Sequence, residues 1–186
     1  MKHTKQVHRP RCIAFVASMG ALGNVLALLS LSVPIHPQVA LDLSHLGTFI
    51  GAMYCGAGWG FVTGALVALA PFYRFGVAGA YGPLVGLGII LGKAITGLFF
   101  GLLVKKLRPF SSVILGFIPE CLYTYAYMKY IAVYFLPKLA AYMTDALIYS
   151  VLIKAWFEIL VMAFIVEAIH RKRLLSGILR SVQMKP

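Results

Sequence analysis

Four ionisable residues lie inside mostly apolar stretches of the chain, where their side chains could bind a polar small molecule. They are Lys93, Glu120, Lys154 and Glu158. A charge within a membrane is costly, and it usually faces a partner or a cavity. Lys154 and Glu158 are four residues apart, so on a helix they share a face and are expected to pair. These residues predict either a ligand pocket or a structural ion-pair network.

Tyrosines and further polar residues extend this pattern. Glu120 follows Pro119, whose missing N–H frees a carbonyl group and bends a helix. Tyrosines then follow at helical spacing, although tyrosines also form belts at membrane interfaces. The predicted substrate-binding residues are Arg74, Lys93, Glu120, Tyr123, Tyr127, Tyr149, Lys154 and Glu158. Asp42 and His45 are predicted to lie at the pocket entrance.

Sequence motifs for catalysis are absent from the chain. It contains no HExxH, no GxSxG and no phosphate-binding GxxxxGK[ST]. We therefore predict that the protein is not an enzyme and that separate subunits carry out any ATP hydrolysis. The three cysteines show no metal-ligand spacing, so neither a metal nor another cofactor is predicted.

The composition indicates an integral membrane protein. Of the 186 residues, 61% are hydrophobic and 12% are charged, whereas soluble domains carry about 25% charged residues. Several apolar runs exceed the roughly 20 residues that span a bilayer. We predict an all-α, multi-pass protein of the cell membrane that forms a single domain over 1–186. The basic segment 1–11 precedes a helix bundle at about 12–170, and a basic cytoplasmic tail occupies 171–186.

The topology depends on whether the apolar stretch 39–71 forms one helix or two. Glycines at 56, 58 and 60 favour a break, and most basic residues cluster at 1–11, 105–108 and 171–186. The positive-inside rule places all three clusters in the cytoplasm, which requires an even number of spans. We therefore predict six transmembrane helices, with helices 2 and 3 short and both termini cytoplasmic. Helix 1 is predicted to end at about residue 33. Helices 4, 5 and 6 are predicted to cover about 82–104, 111–136 and 144–170.

The net charge of +12 raises the question of a nucleic-acid partner. The chain lacks a basic soluble face interleaved with aromatic residues, so a nucleic-acid role is not expected. The basic excess is explained as an orientation signal and as a contact with anionic lipid.

Small residues mark two predicted helices. Ala17 and Ala21 form an A-x-x-x-A motif in the first helix, and this spacing lets another helix approach closely. That helix could be a partner subunit or another helix of this chain, and the sequence leaves both open. A second series in helix 4 is compatible with tight internal packing and comprises Gly82, Gly86, Gly88, Gly92 and Gly97.

Several sequence features together form a family-like pattern. They are the A-x-x-x-A motif, LDLSHL at 41–46, GAMYCGAGWGFVTGAL at 51–66, Gly82-Pro83 at the start of helix 4, and Lys93 in GKAITGL. In these features the chain resembles the substrate-binding S components of energy-coupling factor (ECF) transporters, and the resemblance covers most of 13–169.

This resemblance implies a membrane subunit that captures a vitamin or related organic molecule from outside. It implies delivery of that molecule inward together with a transmembrane coupling subunit and two cytoplasmic ATPase subunits. The face of Ala17 and Ala21 would contact the coupling subunit, and the loops near 34–42 and 72–81 would gate the pocket. Residues 1–4 lack the histidine motif of the cobalt and nickel branch, so a metal substrate is not expected.

The sequence leaves the ligand and two other functional classes open. Two cations, two carboxylates and tyrosines suit a partly aromatic ligand that carries a carboxylate or phosphate and a hydrogen-bond donor. One alternative is a stand-alone small secondary transporter or channel, which would use the broken helices and intramembrane charges directly. Another is a structural membrane subunit whose charges serve assembly.

Overall fold

In the computed structural model, the described residues are 8–32, 42–79, 82–141 and 143–172. These parts of the chain form six helices and no strands. The helices are α1 His8–Ser32, α2 His45–Cys55, α3 Ala57–Val67, α4 Gly82–Leu103, α5 Pro109–Ala126 and α6 Asp145–Arg171. Leu69–Pro71 and a π-helical turn at Phe72–Val77 continue α3. A π-helical turn at Tyr127–Ile131, followed by Ala132–Phe135, continues α5.

Three helical stretches are long and apolar enough to cross a membrane: Pro10–Ser30, Ala57–Val77 and Gly82–Leu103. The outer surface of α5 and α6 also carries large apolar side chains, among them Leu122 at 66% exposure and Phe157 at 65%. Apolar exposure on this scale suits a lipid environment, because soluble monomers rarely expose large contiguous apolar patches.

The break predicted within 39–71 is confirmed at Gly56. This residue separates α2 from α3 and has φ +90°, a conformation that glycine adopts at little cost. The two helices then run antiparallel, so that Gly51 packs against Thr63 and Gly60 against Ala52. The stretch therefore forms two helices, as predicted, and α2 has 11 residues.

The sequence indicated that helix 3 ends at Pro71, but the helix continues beyond that residue. Pro71 lacks an N–H group, and beyond it the backbone takes the wider π spacing, in which the Ala78 N–H donates to the Tyr73 carbonyl at 2.8 Å. The prediction of a gating loop over 72–81 is therefore wrong for Phe72–Val77, which is helical. The other predicted gating loop, 34–42, lies outside the described residues except for Asp42.

The short helix α2 lies at the centre of the bundle. Phe49 is fully buried, and its ring centroid is 4.9 Å from that of Phe100 on α4. The same apolar core includes Val113 and Phe117 from α5 and Met162 from α6, while Gly47 packs against the backbone of α1. The other helices therefore surround α2.

Glycines allow α3 and α4 to pack backbone against backbone. A Cβ atom on Gly97 would lie 2.1 Å from the Gly60 carbonyl oxygen, and one on Gly64 would lie 2.2 Å from the Lys93 carbonyl oxygen. Any larger residue at these positions would force the helices apart. The expected internal packing of the α4 glycines is confirmed at Gly97, and also at Gly86, which packs against Phe72 and Gly76.

Several basic residues lie together at one end of the bundle, which we call the basic end. Near the start of α1, the Phe15 ring lies 6.0 Å from the Tyr54 ring beside the Gly56 turn. A Cβ atom on Gly101 would lie 2.5 Å from Ala57, so α4 also ends there. The connection 104–109 shares a cavity with the last turn of α6. The basic end carries Arg11, Lys105, Lys106, Arg108, Arg171 and Lys172.

Candidate functional site

Polar side chains from five parts of the chain meet inside the bundle, and we call this group the polar cluster. The segment before α2, the first residue of α2, and the helices α4, α5 and α6 supply them. Its members are Asp42, Ser44, His45, Lys93, Thr96, Glu120, Lys154 and Glu158.

Lys93 binds the segment before α2 to α4. Its side chain is buried, and its Nζ donates to Asp42 Oδ2 at 2.9 Å and to Ser44 Oγ at 2.6 Å. The other oxygen of Asp42 accepts a hydrogen bond from the Ser44 N–H at 2.9 Å. Burial raises the pKa of Asp42. The Lys93 ammonium, together with His45 and Ser44, lowers it by a larger amount, so the pKa of Asp42 lies below its usual value. This carboxyl group is therefore ionised at neutral pH.

Glu120 is buried between α2 and α4. Its Oε1 lies 3.5 Å from Nε2 of His45, and its Oε2 accepts a hydrogen bond from the Thr96 hydroxyl. Gly92 leaves room for it, since a Cβ atom there would lie 3.4 Å from the Glu120 side chain. The carboxylate that follows Pro119 therefore points into the bundle.

Glu158 connects α6 to the same segment. Its Oε1 accepts a hydrogen bond from the Asp42 N–H at 2.6 Å and lies 3.4 Å from Lys154 Nζ. The predicted pairing of Lys154 with Glu158 is confirmed. Asp42 is thus bound to α4 through its side chain and to α6 through its backbone.

Three buried polar atoms in and beside the polar cluster have no hydrogen-bond partner among the described residues. They are His45 Nδ1, the Thr48 hydroxyl and the Tyr123 hydroxyl. Most buried polar atoms in proteins are hydrogen-bonded, so each exception calls for an explanation. Thr48 lies one turn after His45 on α2, and Tyr123 lies one turn after Glu120 on α5, which places the three in one region.

Aromatic rings border the polar cluster on the side of α2, α5 and α6. The His45 ring stacks on Phe49 at 5.8 Å and meets the edge of Phe117 at 6.4 Å. Phe117 in turn contacts Trp156 of α6 at 5.3 Å. Polar atoms beside rings form an environment that suits a small, planar, polar molecule.

The structure brings together five of the eight predicted substrate-binding residues, namely Lys93, Glu120, Tyr123, Lys154 and Glu158. Tyr127 adjoins Tyr123, with ring centroids 5.4 Å apart, but its hydroxyl donates to the Leu84 carbonyl at 2.5 Å and so ties α5 to α4.

The remaining two predicted binding residues lie elsewhere. Tyr149 is 52% exposed and stacks on Tyr125 at 6.3 Å. Arg74 is exposed on the π-helical turn after α3, with its guanidinium 5.9 Å from the Phe75 ring. Asp42 and His45, predicted at the entrance, lie within the polar cluster itself.

Sequence reasoning missed the hydroxyl groups of the site. Ser44 and Thr48 flank His45, and Thr96 lies one helical turn after Lys93. Helical spacing from an already selected residue would have identified Thr48 and Thr96. The role of Ser44 depends on a contact with Lys93, 49 residues away, which has no local signal.

The glycines and the alanines of α1 lie on different sides of the helix. Gly20 and Gly23 pack inward against Leu66 and Val67 of α3. Ala17 and Ala21 are exposed, together with Ala14 and Ser18. The glycines of α1 therefore serve internal packing, and the A-x-x-x-A face is uncovered among the described residues.

Comparison of the chain with protein-family models, with curated proteins and with solved structures gives no match.

Proposed function

We propose that the chain is the membrane-embedded substrate-binding subunit of an ECF-type importer. In this role it captures a vitamin-like organic molecule from outside and delivers it inward with a coupling subunit and two ATPase subunits. The observation that carries the proposal is the polar cluster, in which charged and unpartnered polar groups are buried in a bundle with an apolar exterior. Ionisable groups inside a membrane are costly, and they often mark a substrate site.

The proposed membrane arrangement follows from the basic end. All six helices cross the cell membrane, and the basic end faces the cytoplasm with both termini. The segment before α2 then opens toward the outside. The short α2 does not need to span the bilayer alone, since the surrounding helices shield it from lipid.

The charges of the polar cluster bear on the class of ligand. Lys93 is paired with Asp42 and Lys154 with Glu158, so a ligand carboxylate or phosphate would have to displace a protein carboxylate from either cation. We therefore favour a neutral or zwitterionic ligand that stacks on Phe117 or Trp156 and uses His45, Thr48 and Tyr123. This ligand class carries no net negative charge, unlike the carboxylate- or phosphate-bearing ligand that the sequence suggested.

The segment that precedes α2 provides a route of entry. Asp42, Ser44 and His45 together hold Lys93, Glu120 and Glu158 through side-chain and backbone contacts. Movement of this segment would break those contacts and open the polar cluster. In the proposed cycle the segment closes over a bound ligand and opens during release.

The coupling subunit is proposed to bind the exposed small-residue face of α1. Ala14, Ala17, Ser18 and Ala21 lie at helical spacing on one side of the helix. Association of helices in lipid relies on close packing between small residues. The chain carries no nucleotide-binding motif of its own, so in the proposed importer the ATPase partners hydrolyse ATP.

Ligand binding tests the proposal directly. The full chain, purified in detergent, is screened against a panel of vitamins by native mass spectrometry and by the fluorescence of its two tryptophans, Trp59 and Trp156. We expect one ligand to bind, and we expect Glu120→Gln to weaken its binding at least tenfold because His45 and Thr96 lose a charged acceptor. Lys129→Gln is the matched control, because Lys129 forms a partly exposed ion pair with Asp145 outside the polar cluster. Failure of the whole panel to bind would contradict the proposal.

Assembly tests the proposed partner. We expect the chain to copurify with a coupling subunit and ATPases from native membranes, and Ala17→Trp to abolish this by blocking close helix approach. Ala146→Trp is the control, since Ala146 is also exposed but lies at the start of α6. Equal recovery of the ATPases with both variants would exclude the α1 face as the contact.

A stand-alone secondary transporter is the second candidate. The π-helical turns at Phe72–Val77 and Tyr127–Ile131 interrupt two helices, and interrupted helices form substrate sites in such transporters. Proton- or sodium-driven uptake by the chain alone in liposomes, without ATP, would favour this candidate over the importer subunit.

A further inference from the structure

A cavity lies at the basic end of the bundle, apart from the polar cluster. Its volume is about 520 Å³, and its walls are the connection 104–109 between α4 and α5 and the residues Glu167, His170 and Arg171 of α6. It begins where the apolar helix α4 ends at Leu103. The cavity therefore lies at the level where the apolar part of the bundle gives way to charged residues.

The charge of this cavity is strongly positive. Lys105, Lys106 and Arg108 line it and are exposed, and they make no ion pair within the described parts of the chain. Glu167 is the carboxylate among the lining residues, and its two oxygens are already engaged. Its Oε2 accepts from the Phe110 N–H at 3.2 Å, and its Oε1 lies 3.5 Å from Arg171 Nε. Glu167 therefore pairs with Arg171 and not with the loop cations, which remain able to bind an anion.

The wall of the cavity continues into an apolar surface. Leu107 lines the cavity and is 41% exposed, and Leu102, five residues earlier near the end of α4, is 50% exposed. On α6, Phe164, Glu167 and Arg171 share one face, and Phe164 packs on Phe110 at 5.0 Å while remaining largely exposed. From Phe164 to Arg171 the helix rises about 10 Å, and over that distance the surface changes from apolar to cationic.

From this arrangement we propose that the cavity binds the phosphate headgroup of an anionic phospholipid. The phosphate contacts Lys105, Lys106 and Arg108, and Arg108 is able to donate two parallel hydrogen bonds to it. The acyl chains lie along Leu102, Leu107 and Phe164. Basic pockets between membrane helices are suited to such headgroups. A soluble anion or an acidic protein would use the cations but leave the apolar wall without a role.

This proposal does not depend on the importer function, because it uses no residue of the polar cluster. It requires only that the basic end lies at a membrane surface. A bound lipid at this position would fix the depth of α4, α5 and α6 in one leaflet.

Lipid binding to the full chain tests the proposal. The protein is titrated in detergent with phosphatidylglycerol or with phosphatidylcholine of the same acyl chains, and bound lipid is counted by native mass spectrometry. We expect at least tenfold tighter binding of phosphatidylglycerol. We expect Lys105→Gln/Lys106→Gln/Arg108→Gln to remove this preference and Lys129→Gln/Lys138→Gln, at the opposite end, to retain it. If the triple variant fails to fold, the test is the preference of the unmodified chain for phosphatidylglycerol and the reduction of that preference in Lys106→Gln.

Two further measurements separate a lipid from other anions. Leu107→Ser should weaken the binding of phosphatidylglycerol without affecting the binding of inorganic phosphate, because the substitution alters the apolar wall alone. Equal binding of both lipids would overturn the proposal, as would displacement of phosphatidylglycerol by millimolar inorganic phosphate. Loss of a copurifying acidic protein in the triple variant, with unchanged lipid binding, would identify a protein contact in its place.

Discussion

Among individual residues, Asp42 and Lys93 hold the polar cluster together. Lys93 is 4% exposed, and its ammonium contacts Asp42 and Ser44. Asp42 reaches α6 as well, through its N–H group and Glu158. Removal of one partner leaves the other charge buried and unpaired. We therefore expect the loss of either residue to lower the free energy of unfolding by more than the ion pair contributes to it.

A double-mutant cycle tests this coupling. We expect Lys93→Met to destabilise the protein by about 3 kcal/mol, since breaking a buried pair costs about 3–5 kcal/mol. Asp42→Asn in the Lys93→Met background should recover part of that loss, because no unpaired carboxylate remains. Reversible unfolding in mixed micelles provides the free energies. Additive effects of the two substitutions would show that the pair is not coupled.

The sequence identified the charged residues but not all of their partners. Lys154 and Glu158 pair within one helix, so spacing alone predicted them. Lys93 and Asp42 are 51 residues apart, and their pairing depends on how α2 packs against α4. Local spacing holds no information of that kind, which is why Asp42 was assigned to the entrance.

Among the helices, α3 and α4 pack closely along their glycines. The backbones meet at Gly60 and Gly97, and Gly64 lies against the backbone of α4 at Lys93. This contact helps to fix the position of α4, which carries Lys93 and Thr96. Close packing of α3 on α4 therefore helps to position the polar cluster.

Alanine substitutions distinguish close packing from helix propensity. Gly97→Ala should destabilise the protein by about 1–3 kcal/mol, the usual cost of overpacking, because its Cβ would overlap the Gly60 carbonyl. Gly58→Ala is the matched control, since a Cβ there meets nothing within 4 Å, and it should be neutral or stabilising by up to about 1 kcal/mol. Thermal unfolding of both variants in the same detergent provides the comparison. A neutral Gly97→Ala would mean that the helices separate at little cost.

Local signals predicted the ends of helices better than their positions in the bundle. The turn at Gly56 was predictable because glycine is needed for its positive φ. The π-helical turn after Pro71 was not, because the chain continues as a helix there through packing of Gly76 on Gly86. The central place of α2 also depends on long-range contacts, such as Phe49 with Phe100.

For the whole molecule, the distribution of charge distinguishes the two ends. The start of α1, the Gly56 turn, the connection 104–109 and the last turn of α6 share the basic end. The opposite end carries Arg74, Lys129 and Lys138. The charge clusters alone predicted that the glycine turn and the basic connection lie at the same end, and the structure agrees.

Cysteine labelling in intact cells tests the orientation. In a chain whose Cys12, Cys55 and Cys121 are replaced by serine, we expect Lys138→Cys to react with a membrane-impermeant maleimide from outside. Gly58→Cys should react only after the cells are permeabilised, since Gly58 is exposed at the basic end. The reverse pattern would invert the proposed orientation. Reaction of both cysteines from outside would place Gly58 and Lys138 on the same side of the membrane and contradict the three spans, α3, α4 and α5, that separate them in the proposed topology.

The central position of α2 has a consequence for how the protein is made. With 11 residues, α2 is about 16 Å long, roughly half the hydrocarbon thickness of a bilayer. Its core partners Phe100, Val113 and Ile159 all follow it in the chain. Ribosomes add about 5–20 residues per second, so α2 leaves the ribosome several seconds before α6. We expect the nascent α2–α3 hairpin to need shielding by the insertion machinery until the last helix arrives.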